Sequence, residues 1–144
     1  MTAKSDPSFP HQLAVRIYYE DTDAGGVVYH ARYLAFAERA RTEWVREMIG
    51  RKSPMWDLGD PVFMVRRLTM DFLAPATLDD YLIVTTEMTA LGGASFDAVQ
   101  TISRDGKPLV RIELTLVSVT REGKVLRLPA EWRQNLSRYL KEGV

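Results

Sequence analysis

The stretch YYEDTDAGGVVYHARYLAFAERAR, residues 18–41, changes period in its middle, and that change decides the fold. Its first residues close a strand in which Leu13, Val15, Ile17 and Tyr19 alternate with Ala14, Arg16, Tyr18 and Glu20, a period of two. An acidic loop and a Gly25-Gly26 bend follow. Over residues 33–49 the period becomes helical: at 100° per residue, Phe36, Ala37, Ala40, Trp44 and Met48 fall within about 60° of Tyr33. Leu34, Val45 and Ile49 widen the apolar stripe to more than half of the wheel. So wide a face predicts a helix wrapped by other structure, with Gly50 as its C-terminal stop.

Beyond a loop rich in turn residues (Ser53, Pro54, Gly59, Asp60, Pro61), the pattern is β. Residues 62–72 read as one strand ended by Ala74-Pro75, and 81–89 as the next, dense in β-branched Ile83, Val84, Thr85 and Thr86. Gly92-Gly93 marks a turn before 95–103. Asp105-Gly106 is a hairpin signal leading into a long strand over 108–120. Glu122-Gly123 turns the chain again toward a strand at 125–128. Pro129 fits the first position of a short closing helix carrying Trp132, Leu136 and Leu140. The expected fold is α+β, a curved antiparallel sheet wrapped around one long central helix. Residues 1–12 read as a flexible polar leader, in which His11 carries no signal, and 13–144 as one domain. A single sheet over a single helix leaves edges and a far face in need of partners, which predicts a homo-oligomer, with homodimer and homotetramer both open.

Composition narrows the function classes. The chain has 144 residues, 46% hydrophobic and 26% charged, with nineteen basic and nineteen acidic side chains. No net field draws it to nucleic acid or an anionic membrane. The absence of cysteine excludes disulfides, thiolate nucleophiles and cysteine-bound metal, and fits a cytoplasmic setting. No apolar run approaches the roughly 20 residues of a membrane span, and the N-terminus lacks the pattern of a signal peptide. There is no G-x-S-x-G elbow, no H-E-x-x-H, no P-loop and no G-x-G-x-x-G. Twelve residues counted from Asp21 end on Arg32, where a calcium loop needs glutamate.

The chemistry-bearing residues gather just ahead of the helix. Asp21, Asp23 and His30 precede an N-terminus that carries unpaired N–H groups and a partial positive charge. A carboxylate beside such an oxyanion site can attack a carbonyl without serine or metal. Asp23 reads equally as a turn cap, and Asp21 as a loop-fixing acceptor of backbone hydrogen bonds or as a carboxylate sharing Asp23's site. Gly25 and Gly26 allow either an ordinary turn or a close backbone approach to a ligand. On the wheel Glu38 and Arg41 fall at about 140° and 80°, inside the apolar arc, which predicts a partly buried, mutually paired couple.

Residues 15–46, VRIYYEDTDAGGVVYHARYLAFAERARTEWVR, resemble the signature of hot-dog-fold acyl-CoA thioesterases of the 4-hydroxybenzoyl-CoA thioesterase type, and within it the bacterial Tol–Pal-associated, YbgC-like branch. The similarity continues through VFMVRRLTMDFLAPATLDDYLIVTTEM, residues 62–88. The resemblance implies hydrolysis of an acyl-CoA thioester with Asp23 as nucleophile or general base, and no cofactor, coenzyme A being part of the substrate. It implies a supporting catalytic role for His30 and substrate contacts at Tyr29, Gly25 and Gly26. Arg66, Arg67 and Arg104 are candidates for the coenzyme A phosphates, and acyl carrier protein is a further possible partner. An acyl-thioester hydratase or dehydratase on the same fold, and a non-catalytic binding or scaffold protein, remain the alternatives.

Overall fold

In the computed structural model, residues 10–48 and 61–140 are described. The elements are β1 (His11–Arg16), α1 (Arg32–Met48), β2 (Val62–Phe72), β3 (Tyr81–Leu91), β4 (Ser95–Arg104), β5 (Lys107–Val119) and α2 (Ala130–Ser137), with a 3-10 turn at Tyr19–Asp21. The strands form one antiparallel sheet in the order β1-β3-β4-β5-β2. One face of the sheet covers α1. The expected helix stop at Gly50 and the turn residues 53–60 lie outside the described residues.

The helix buries Tyr33, Phe36, Ala37, Ala40, Trp44 and Met48, the same set that the helical period singles out. Facing them are Leu82, Val84 and Met88 of β3, Ala98 and Ile102 of β4, and Ile112 and Leu114 of β5, all buried. Burial alternates strictly along β4, because side chains of a strand point alternately to the two faces. Each large apolar side chain taken from water contributes about 1.5–3 kcal/mol, so this helix–sheet interface holds most of the fold. At the β4–β5 hairpin, Asp105 (φ 51°) and Gly106 (φ 80°) both take left-handed backbone, the geometry of a type I′ turn.

The structure corrects several expectations. The first strand ends at Arg16, because Tyr18 and Tyr19 turn outward (62% and 81% exposed) into the 3-10 turn. It also starts earlier than the alternation suggests. His11 is 6% exposed, with its Nδ1 buried and unpartnered. Residues 125–128 do not form a strand; Val125 makes a single bridge to Val119. Pro129 is the N-cap of α2 and not its first residue, and Leu140 lies past the helix, bridging Met88. Leu34 is exposed in the single chain. Glu38 and Arg41 do not pair: Glu38 is exposed, and Arg41 Nη1 donates to Gln100 Oε1 at 2.9 Å.

Burial pulls the His11 imidazole below its ordinary value, partly offset by the Glu47 and Glu43 carboxylates of α1. A group whose folded pKa is depressed takes up its proton more readily in the unfolded chain. His11 stability is therefore fully present above the unfolded value near 6.5 and declines as pH falls below it. Urea unfolding between pH 5 and 8 is expected to show this decline in wild type and a smaller one in His11→Phe. Parallel curves would remove His11 from the account.

Candidate active site

The loop between the 3-10 turn and α1 is a small hairpin closed on itself. Thr22 bridges Val28, Asp23 N–H donates to Val27 O at 2.9 Å, and Gly26 N–H donates to Asp23 O at 3.0 Å. Gly26 has φ +85°, where an L side chain is strained, so a glycine is required at that point of the bend. At Gly25 a Cβ would meet Asp23 Oδ1 at 3.2 Å, so any side chain there would crowd the carboxylate.

Asp23 is exposed at this bend. Its Oδ1 accepts the Gly25 N–H at 2.8 Å, an Asx turn that fixes the carboxylate, while Oδ2 has no hydrogen bond among the described residues. Turn-capping and an available carboxylate oxygen thus coexist in one residue. Asp21 does a different job and does not share that site. It is buried, accepts the Tyr18 N–H at 2.9 Å, and takes Arg32 Nε and Nη2 at 2.9 and 2.6 Å, bidentate on one oxygen. Since Arg32 is the first residue of α1, this ion pair ties the loop to the helix start.

Tyr29 and His30 touch with ring centroids 4.7 Å apart and planes tilted by 53°, and His30 meets Phe72 edge-on at 6.4 Å. His30 lines a cavity of about 350 Å³ together with Val28, Tyr33, Phe72 and Leu73. Asp23 and Tyr29 do not line it within the single chain, and no hydrogen bond joins Asp23 to His30. Tyr33 is the residue of this cavity that sequence reasoning assigned only to the core. Its hydroxyl accepts the Ala76 N–H at 3.1 Å, pinning the loop after β2 onto α1, and burial pushes its phenol upward. Arg32 was likewise missed. Its only signal is a basic residue at a helix start, where the macrodipole disfavours a cation unless an acid is near.

The arginines lie elsewhere. Arg66 is the extra residue of a β-bulge between Val65 and Arg67, and Arg67 borders a depression with Asp97, Glu113 and Thr115. Both are exposed and sit roughly 20 Å along β2 from Phe72 at the His30 cavity, so one chain does not bring them to the loop. Arg104 is already committed, donating to Asp80 Oδ2 at 2.6 Å. Burial alone would raise the Asp80 carboxyl, but hydrogen bonds from Thr77 and Arg104 outweigh it and hold the carboxyl below the usual range. Arg104 is thus a structural partner, not a free anion contact.

A family model described as the thioesterase superfamily matches residues 25–111, more than half of the chain. The chain belongs to the thioesterase superfamily. The YbgC acyl-CoA thioesterase of Haemophilus influenzae is 47% identical to this superfamily member over 98 residues, covering 68% of this chain and 69% of that protein. The YbgC acyl-CoA thioester hydrolase of Escherichia coli O6:H1 is 51% identical over 89 residues, 61% of this chain and 65% of its own. The chain thus spans about two thirds of these relatives. The crystal structure of a probable thioesterase from Bartonella henselae superimposes with a TM-score of 0.77 at 37% identity, covering 83% of this chain and 98% of that one. The antiparallel sheet around α1 is therefore a hot-dog fold. The superfamily match opens at Gly25, two residues after Asp23. Among the described residues no helix is long and apolar enough to cross a membrane, and no group of three His, Asp or Glu could hold a metal ion.

Proposed function

We propose that this superfamily member hydrolyses acyl-CoA thioesters to coenzyme A and a free carboxylic acid, with Asp23 as the catalytic carboxylate. The observation that carries the reading is the Asp23 side chain itself, exposed, fixed through Oδ1, and with Oδ2 unbonded among the described residues, just ahead of α1. Two routes use that oxygen. As nucleophile it attacks the thioester carbonyl, expels the coenzyme A thiolate, which takes a proton, and leaves a mixed anhydride for water to open. As general base it takes a proton from water while the water attacks. In both, backbone N–H groups at the start of α1 stabilise the oxyanion. His30, held by Tyr29 and Phe72 at the cavity, orients water or polarises the carbonyl. The glycines of the bend keep room for the thioester beside Asp23.

The reaction so written uses no cofactor, and a cysteine-free chain suits a cytoplasmic setting. A homodimer, with dimers pairing further into a tetramer, belongs to the same proposal. Its support is β2, an edge strand whose residues are largely exposed, with Met64 53%, Val65 40% and Phe72 53% open to solvent. Arg66 and Arg67 then approach the coenzyme A phosphates from across a subunit seam.

Thiol release from a panel of aliphatic and aromatic acyl-CoAs, with one acyl carrier protein thioester, tests the activity. Turnover of at least one acyl-CoA is expected. Silence across the panel in folded protein would discard the hydrolase reading. With the best substrate, Arg66→Ala/Arg67→Ala is expected to raise KM about tenfold at unchanged kcat; an unchanged KM would release both arginines from that role.

A further inference from the structure

The Asp23 carboxylate stands on a bend that has little packing of its own. Residues 23–26 are all exposed, and the buried side chain of the hairpin's returning limb is Val28, at 4% exposure. Where the carboxylate points is therefore set by whatever holds that limb. Two backbone links to the rest of the fold do so: the Val28 N–H donates to Ala76 O at 2.8 Å, and Val27 bridges Thr77. Both partners belong to the loop between β2 and β3. The same loop meets the end of β1, where the Ile17 N–H donates to Asp80 O at 2.9 Å.

That loop is itself clamped. Tyr33, in the first turn of α1, accepts the Ala76 N–H on its hydroxyl at 3.1 Å. Asp80 Oδ2 accepts the Thr77 N–H at 2.8 Å and Arg104 Nη1, from the end of β4, at 2.6 Å. Arg16 Nη1 donates to Asp79 O at 2.9 Å, and Asp79 has a φ of 75°, a left-handed backbone that few side chains adopt. Strain of that kind persists only where the surroundings fix it.

Ala76 joins helix and hairpin. It is fully buried, with its N–H turned to α1 and its C=O to the limb that carries Asp23. Tyr33 thus reaches Asp23 through Ala76, Val28 and Val27, whose C=O accepts the Asp23 N–H at 2.9 Å. The Tyr33 ring lies against Phe36 and Phe72, with centroids 6.3 and 5.9 Å away, where a phenylalanine would pack as well. Packing does not account for the oxygen. Its one hydrogen bond among the described residues is the link to Ala76.

The N–H groups that stabilise the oxyanion sit at the start of α1, and Tyr33 is the second residue of that helix. A hydroxyl on the helix that holds the hairpin also holds the distance from carboxylate to donors. A misplacement of about 1 Å there is enough to slow a reaction about a hundredfold. We infer that Tyr33 and Asp80 are positioning residues for Asp23, acting through the loop between β2 and β3 to set the carboxylate against the N-terminus of α1. The inference rests on the reading of Asp23 as the catalytic carboxylate.

Steady-state thiol release from the acyl-CoA that turns over best, measured well below each melting temperature, tests it. Tyr33→Phe keeps the ring and loses only the hydroxyl. Its kcat is expected to fall about tenfold or more, with KM within about threefold of wild type. Asp80→Ala is expected to do the same, and it decides the matter if Tyr33→Phe is unfolded, since the Asp80 side chain lies nearer the surface. Tyr139→Phe is the control. It removes another buried tyrosine hydroxyl, bonded to Glu47 Oε2 at 2.8 Å near the far end of α1, and is expected to lower the melting temperature at unchanged kcat. A wild-type kcat in either folded variant, a loss confined to KM, or an equal fall of kcat in Tyr139→Phe would each overturn the positioning role. Asp23→Asn in the same assay separates the two proposals. If wild type is silent, or Asp23→Asn turns over like it, the reading of Asp23 falls and takes this inference with it. If Asp23→Asn is silent while Tyr33→Phe and Asp80→Ala keep the wild-type kcat, this inference alone falls.

Discussion

Thiol release by Asp23→Asn is expected to fall on the order of 1,000-fold or more below wild type, with the fold unchanged. Asparagine keeps the shape of the side chain, and its carbonyl oxygen still accepts the Gly25 N–H that holds the bend. What disappears is the charge. A neutral amide neither attacks a thioester carbonyl nor takes a proton from water, so both routes stop at the same atom. Comparison of kcat and of the melting temperature for the two proteins is sufficient. A variant that turns over within tenfold of wild type would remove Asp23 from the chemistry and leave it only its turn-capping role.

The largest expected loss of stability belongs to Asp21→Ala. Asp21 is 4% exposed, and its carboxylate is the counterion of Arg32, whose side chain is 29% exposed. Removing Asp21 leaves Arg32 with only the exposed Glu20 carboxylate, 3.6 Å away, at a cost of about 3 kcal/mol, the low end of the usual range because Arg32 keeps that partner and reaches solvent. The Tyr18 N–H loses its acceptor as well. For a chain of this size that cost lowers the melting temperature by roughly 10 °C. A fall of less than about 3 °C in thermal unfolding would show that the pair contributes little beyond a surface salt bridge. Asp21 and Asp23 are two residues apart and look alike in the sequence, yet one loss is expected in turnover and the other in stability.

Periodicity made the helix and the sheet legible. The buried face of α1 follows from the spacing of Phe36, Ala37, Ala40, Trp44 and Met48, because a 3.6-residue repeat is a property of the chain alone. The Asp105-Gly106 turn was legible for a similar reason, since only certain residues tolerate its left-handed backbone. Legibility ended where partners come from other elements. Nothing near Arg41 announces that the Gln100 amide oxygen, fifty-nine positions on, will accept its N–H, so the pairing with Glu38 was the nearest local guess. The strand expected at 125–128 meets only the last residues of β5, beyond its pairing with β4, and makes a single bridge there. At the loop, the cluster of Asp21, Asp23 and His30 was visible as composition, but the division of labour between the two carboxylates depends on which of them Arg32 reaches.

The strand order has a consequence for how the molecule opens. β3, β4 and β5 are joined by short turns and pair with their neighbours in sequence, whereas β1 and β2 find their partners far along the chain. Local pairing closes small loops at low entropic cost, and distant pairing closes large ones. The meander therefore forms early and exchanges its amide hydrogens last, while β1, an edge strand of six residues, frays first. The Asp23 hairpin hangs between β1 and α1. Denaturant too dilute to unfold the protein would then release β1, loosen that hairpin and silence turnover while the central sheet still stands.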